Sequence, residues 1–430
     1  MNIGQMNIVT QIFLATLLLK TMIEAYLDNR NRIHISKNRD EVPAQFAEKI
    51  SLEEHQKAAD YSVTKIKTAR RFNILDLAIL LGWTMMGGIE WLSNLSNSFG
   101  QGPIATGVLF FAIFTLINMV LGLPQSIYNT FVIEERFGFN RTTPKTFVVD
   151  LVKGIAVGAI IGLPILALIL WIMINQENWW ILAWAVVTAF QLIMIWAYPT
   201  VIAPLFNKFS PLEEGEVKDT VVKLLERTGF ESNGLFVMDA SKRSGHGNAY
   251  FTGFGKNKRI VFFDTLLENL TAPEIEAVLA HELGHFKRKH IIKMLTRSIL
   301  FSLLGFFVLS KLATSPMFFL GHGVKTMAPH ITLLLFMMVS GIYTFFLTPL
   351  FAMMSRKHEF EADEFAAQYS SANELIKALV KLYKENASTL TPDPTYSAWY
   401  HSHPPALIRV QHLEGLGNSN ISSNDSIPAT

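Results

Sequence analysis

The chain of 430 residues contains no cysteine. Disulfides, thiolate metal ligands and a cysteine nucleophile are therefore excluded, and any metal must be held by His, Asp or Glu. Charge is scarce as well. Asp, Glu, Lys and Arg make up 17% of the residues, against about 25% in soluble domains. The net charge of +2 is small and dispersed, which argues against a nucleic-acid partner. The first nine residues carry no Lys or Arg, and the first apolar stretch is long enough to span a bilayer. No cleavable signal peptide is expected.

What the chain has in quantity is apolar surface. Half of it is hydrophobic, with 32 Phe, 16 Met and 8 Trp, the composition of a chain that faces lipid. A bilayer core takes about 20 mostly apolar helical residues. Seven stretches meet that length: Ile8–Leu27, Phe72–Leu92, Ala105–Pro124, Gly154–Ile174, Trp179–Pro204, Ser298–Ser315 and Ile331–Met354. The expected fold is therefore an all-α multi-pass membrane protein. Lys and Arg alternate between the connections, with ten from Asp28 to Arg71, four from Gln125 to Lys153, and none in Ser93–Ile104 or Asn175–Asn178. The positive-inside rule then places the N-terminus outside and every large hydrophilic segment in the cytoplasm. Lys20, Glu24, Asp76 and Glu90 fall within spans. Such groups face a partner or cavity, or, near a helix end, snorkel to the surface. No internal repeat is visible, and the polar stretch Asn418–Thr430 is expected to be a disordered tail.

The expected organisation follows from these spans. Residues 1–204 carry the first five helices, 205–297 form a cytoplasmic insert, 298–354 the last two helices, and 355–417 a C-terminal catalytic segment before the tail. Within the insert, Ser210-Pro211-Leu212-Glu213 reads as a capping box opening a helix that stops at Gly229. Leu235–Met238 reads as a strand, and Asn248–Thr252 with Arg259–Phe263 as a hairpin. The insert is thus a small α+β unit. A second capping box, Thr271-Ala272-Pro273-Glu274, starts the helix that bears His281-Glu282-Leu283-Gly284-His285.

Two histidines four apart share a helix face and can reach one metal ion. Two imidazoles and a carboxylate with an open fourth position suit zinc, one ion per chain. Glu282 is placed to take a proton from the attacking water and to return it to the leaving amine. A helix with surface histidines and no metal is the plain alternative. His290 lies at the wrong spacing for a third ligand, which should be a downstream carboxylate. In Ser355–Asp363, read as a continuation of the seventh span, Glu359 and Asp363 share a face while Glu361 points to the outer, solvated side. One of the first two could ligate the metal and the other could hold a ligand histidine from behind. A merely charged juxtamembrane helix is the other reading.

Several segments together resemble the integral-membrane CAAX prenyl endopeptidase family of zinc proteases. They are Tyr128–Asn140, Tyr198–Pro211, Asn248–Phe251, Lys256–Leu267, the HELGH helix, Ser355–Asp363 and Tyr400–Arg409. The resemblance implies seven helices enclosing a large water-filled chamber, with a zincin-like insert and the zinc site at its cytoplasmic end. It implies that Glu359 is the third zinc ligand and Asp363 its companion. His403 would stabilise the oxyanion, although a loop histidine fixed by Pro404 and Pro405 is the plain reading. Arg409 would hold the carboxylates, and Asn248, Ala249 and Tyr250 would bind an extended substrate as an added strand. Family members remove the last three residues of prenylated CAAX proteins, so the partners implied are a lipidated or extended peptide and membrane lipids. The short sixth-to-seventh connection and the lack of an endoplasmic-reticulum retrieval signal fit a bacterial inner-membrane member, whereas a eukaryotic one is expected in the endoplasmic-reticulum membrane. A broad quality-control protease and a catalytically silent membrane chaperone are the competing readings. Glu282 argues against the second, because a silent protein needs no base.

Overall fold

Apolar runs that exceed the bilayer's thickness become helices that continue into polar sequence beyond the lipid. The computed structural model describes residues 7–252 and 258–424. It opens with α1 (Ile8–Lys37) and α2 (Leu52–Trp83), the second started by a full Ser51/Glu54 capping box. The second span is broken. Gly87, at φ +84°, turns the chain by 54° into α3 (Gly88–Asn97). A side chain at Gly88 would meet the backbone of Gly82 and Trp83 at 2.8–2.9 Å, so the bend requires glycine there too. Helices α4 (Pro103–Tyr128), α5 (Pro144–Asn175), α6 (Trp179–Ala197) and the single turn α7 (Ala203–Phe206) complete the first half.

The insert follows. Strands β1 (Phe209–Pro211), β2 (Leu235–Met238), β3 (Ala249–Thr252) and β4 (Arg259–Phe263) form one sheet in the order β1-β2-β4-β3. The parallel β2–β4 pair is flanked by antiparallel partners, which leaves β3 on an edge. The capping box expected at Ser210 is not formed. Ser210 pairs with Val237 instead, and α8 (Glu216–Thr228) begins after Gly215. A cap contributes about 1 kcal/mol, and a ladder of hydrogen bonds at about 1 kcal/mol each outweighs it. Of the expected hairpin turn, residues 253–257 lie outside the described residues. Next come α9 (Asp264–Asn269) and α10 (Ala272–Lys287), the latter capped by Thr271 and Glu274 as expected.

The chain re-enters the apolar layer as α11 (His290–Leu312), which starts earlier than the span read from Ser298. The short α12 (Pro316–Gly321) leads to α13 (Pro329–Thr344) and α14 (Thr348–Tyr369). One 3-10 turn at Phe345–Leu347 separates the last two, because Pro349 has no N–H to continue the ladder. Helices α15 (Ala372–Glu385), α16 (Pro394–Tyr400) and α17 (Ala406–Asn424) end the described chain. α17 therefore runs into the segment expected as a disordered tail, whose last six residues lie outside the described ones.

The protein is a multi-pass membrane protein, with six long apolar helices, or seven when the bent α2–α3 pair counts as one span. Helices α1, α4, α5, α11 and α13 surround a cavity of about 1500 Å³ with a mostly apolar wall, including Phe111, Leu166, Phe301 and Phe336. Asp150, also in that wall, pairs with Arg243 of the insert at 2.7 and 2.9 Å. Three of the four charges within the spans are paired. Lys20 bonds Glu24 at 2.7 Å, and Glu90 accepts from the backbone of Lys325 and Thr326 and from the Thr326 hydroxyl. Asp76 is exposed.

Candidate metal centre

Two helices on opposite sides of a membrane hairpin build the site. α10 buries its apolar face, with Ile275, Leu279 and Leu283, in the core of the insert. Its other face meets α14 so closely that a side chain at Gly284 would lie 2.9 Å from Ala362 Cα and 3.0 Å from Phe365 Cβ. The glycine of HELGH thus sets the approach that brings Glu359 to the histidines. His281 Nε2 and His285 Nε2 are 3.2 Å apart. Glu359 Oε1 lies 3.3 Å from His285 Nε2, and Oε2 3.5 Å from His281 Nε2. Ligand atoms bound to one tetrahedral ion at about 2.0–2.1 Å are roughly 3.3 Å apart. All three separations match that edge. The residues present therefore fit a metal ion.

Behind His281 the second carboxylate is in place. Asp363 Oδ1 is 2.8 Å from His281 Nδ1, and Arg409 donates to Asp363 from Nε at 3.0 Å and from Nη2 at 2.6 Å. Arg409 Nη2 also lies 3.2 Å from His281 Nδ1. A guanidinium only donates, so the imidazole proton goes to Asp363 and the arginine contact is one of packing. Burial and the Arg409 charge disfavour the imidazolium at His281. Hydrogen bonds to Asp363 and Glu359 outweigh both and raise its pKa to about 9 in the metal-free protein.

His285 is supported by residues that the helix-face reading assigned no role. Its Nδ1 is 3.1 Å from His290 Nδ1, and His290 Nε2 is 2.9 Å from Glu361 Oε2. His290 also stacks on His358, with centroids 4.1 Å apart. Glu361 does point away from the His281–His285–Glu359 cluster, but it does not merely solvate an outer face. The missed relationship depends on a sharp turn between α10 and α11, where Lys289 adopts φ +58°. Spacing alone excludes His290 as a ligand and says nothing about the nitrogen it offers to His285.

The other expected residues are only partly gathered. Glu282, which lies between His281 and His285 in the chain, is half-buried. Asn248 is exposed at the start of β3, its carbonyl accepting from Phe263 N at 2.9 Å, and Ala249 and Tyr250 lie on that edge strand. His403 reaches the site but leans on Glu359, with Nδ1 2.6 Å from its Oε2. The metal-site residues do not line the large membrane cavity. Through His403 they border a separate cleft, which Tyr383 also lines.

Residues 31–208 match the family described as CAAX prenyl protease N-terminal, five membrane helices, and residues 211–416 match peptidase family M48. The mouse protein named CAAX prenyl protease 1 homolog is 34% identical, covering 91% of this chain and 92% of its own. The Saccharomyces cerevisiae CAAX prenyl protease 1 is 33% identical, with the same coverage of both chains. The crystal structure of S. mikatae Ste24p superposes with a TM-score of 0.87 at 32% identity, covering 94% of this chain and 99% of that one.

Proposed function

Because the chain belongs to peptidase family M48, as a membrane metallopeptidase with a CAAX prenyl protease membrane domain, we propose that it cleaves near the C-terminus of prenylated CAAX-type proteins, using zinc. The observation that carries this reading is the set of donor atoms on His281, His285 and Glu359, 3.2–3.5 Å apart. Two imidazole nitrogens and a carboxylate oxygen suit one zinc ion per chain and leave a fourth position open. Zinc held there supplies a Lewis acid that polarises the scissile carbonyl and makes water nucleophilic near neutral pH.

The chain's own groups do the rest. β3 lies at the edge of the sheet, and an extended peptide adds there as a strand at Ala249, displacing the Asn248 side chain that accepts from Ala249 N at 2.8 Å. Glu282 takes the proton of the attacking water and passes it to the departing amine. His403, which must leave Glu359 to do so, donates to the oxygen of the tetrahedral intermediate. Asp363 and Arg409 hold His281 in the tautomer that presents Nε2. Residues 205–297 and 355–417 make up the peptidase, and residues 1–204 and 298–354 the membrane body.

The charge asymmetry supports a cytoplasmic site. In this cysteine-free chain, a cysteine replacing exposed Ser98 should label from outside and one replacing exposed Lys242 should not. The reverse pattern would overturn the orientation. The substrate is tested with matched prenylated and non-prenylated CAAX peptides on purified protein. Preferential cleavage of the prenylated peptide is expected. Equal cleavage of both, with comparable attack on unfolded membrane proteins, would replace this reading with broad quality control.

A further inference from the structure

The cleft bordering the metal centre has a volume of about 590 Å³. Its wall includes His403 and Tyr383, His401 and His246, Ile35 of α1, and Lys65 and Ile66 of α2. That wall holds one lysine and three histidines but no Asp or Glu. Glu134, the nearby acid, is already engaged. Tyr61 donates its hydroxyl proton to Glu134 at 2.6 Å, and His246 Nε2 lies 3.4 Å from the same carboxylate. Lys65 Nζ makes its hydrogen bond to the Tyr61 hydroxyl oxygen at 3.3 Å. An ammonium has three protons to donate, and Glu134, the carboxylate beside Lys65, already accepts from Tyr61.

Building on the proposed function, the fragment leaving the reaction is a short peptide with a free terminal carboxylate. Three extended residues reach about 10 Å, and a cleft of this volume can hold them. A wall that combines apolar side chains (Ile35, Ile66) with one ammonium suits aliphatic side chains followed by a negative terminus. We propose that this cleft receives the C-terminal residues of the substrate and that the Lys65 ammonium binds their terminal carboxylate. Lys65 is then a specificity-determining residue, reading the chain end, while the metal centre reads the peptide bond.

The test compares two prenylated peptides that differ only in a terminal carboxylate or carboxamide, a change that removes the charge and nearly keeps the shape. The parent should prefer the acid by about tenfold or more in kcat/KM, the scale of a hydrogen bond to a charged group. Lys65→Gln should bring the acid down to the level of the amide, and Lys65→Arg should restore the preference. Ser62→Glu, which puts a carboxylate in the same wall, should reduce the ratio without touching Lys65. A parent that cuts both peptides equally would overturn the proposal, as would a Lys65→Gln protein that loses both in proportion. Cleavage of neither peptide by the parent would overturn the proposed function, and this inference with it.

Discussion

Asp363 Oδ1 lies 2.8 Å from His281 Nδ1, across the ring from the nitrogen that faces Glu359. The two carboxylates of α14 therefore grip one imidazole from both ends, and they differ in what their loss should do. Glu359→Ala removes a ligand and should abolish bound zinc and activity. Asp363→Ala frees the ring and should weaken zinc by roughly 10–100-fold. Metal content per purified chain decides the matter, and full zinc in Glu359→Ala would refute the assigned ligand set.

Glu282 is assigned to the proton and not to the metal. Glu282→Gln should keep zinc while losing at least about 100-fold in turnover, the scale of a missing general base. His281→Ala and His285→Ala should lose both. Activity within about tenfold of the parent in Glu282→Gln would show that another group moves the proton.

The His285–His290–Glu361 contacts change an expectation drawn from helix faces alone, which would leave Glu361→Ala equivalent to the parent. His285 presents Nε2 to the site, so its Nδ1 proton points to His290 Nδ1, and His290 Nε2 then donates to Glu361. His290→Phe should lower zinc affinity by roughly 10–100-fold, and Glu361→Gln in the same direction by less. Chelator competition measures both. Unchanged affinity in the two variants would reduce this chain of contacts to packing.

The protonation of His281 sets a pH dependence with opposite signs for fold and metal. Burial and Arg409 oppose its charge, but Asp363 and Glu359 raise its pKa to about 9 in the metal-free protein. A raised pKa adds stability that is full below the unfolded value of about 6.5 and is lost as pH rises through about 9. The chelated protein should therefore melt lower at pH 9 than at pH 6.5. Zinc must displace that proton, so its affinity should rise over the same interval. Calorimetry in two buffers of different ionisation enthalpy counts the protons, and no release at pH 7 would contradict the assignment.

Features whose signals are local can be read directly from the amino-acid order. Thr271 and Glu274 cap the HELGH helix, Gly229 ends α8 in the left-handed region, and Glu359 and Asp363 share a face, each a consequence of helix geometry within a few residues. The misreadings arise where distant segments decide. Ser210 carries the marks of a cap, yet β2 recruits it as a strand partner. The Thr84–Gly87 turn hides inside a continuous apolar run, because hydropathy measures length and not direction. Lys65 belongs to no motif at all. Its place beside Tyr61, Glu134 and His246 comes from the packing of α2 against segments far along the chain.

The histidine ligands and Glu359 are separated by α11 and α13, two crossings of the membrane. This has a consequence for biosynthesis. A nascent chain that has emerged only through α10 carries half a metal centre and no third ligand. The peptidase comes into being when the following hairpin has been inserted in the correct direction and α14 has returned to the side it left. On the proposed function, membrane insertion would then be the activating step, because a chain whose hairpin is not yet in place holds only part of the metal site.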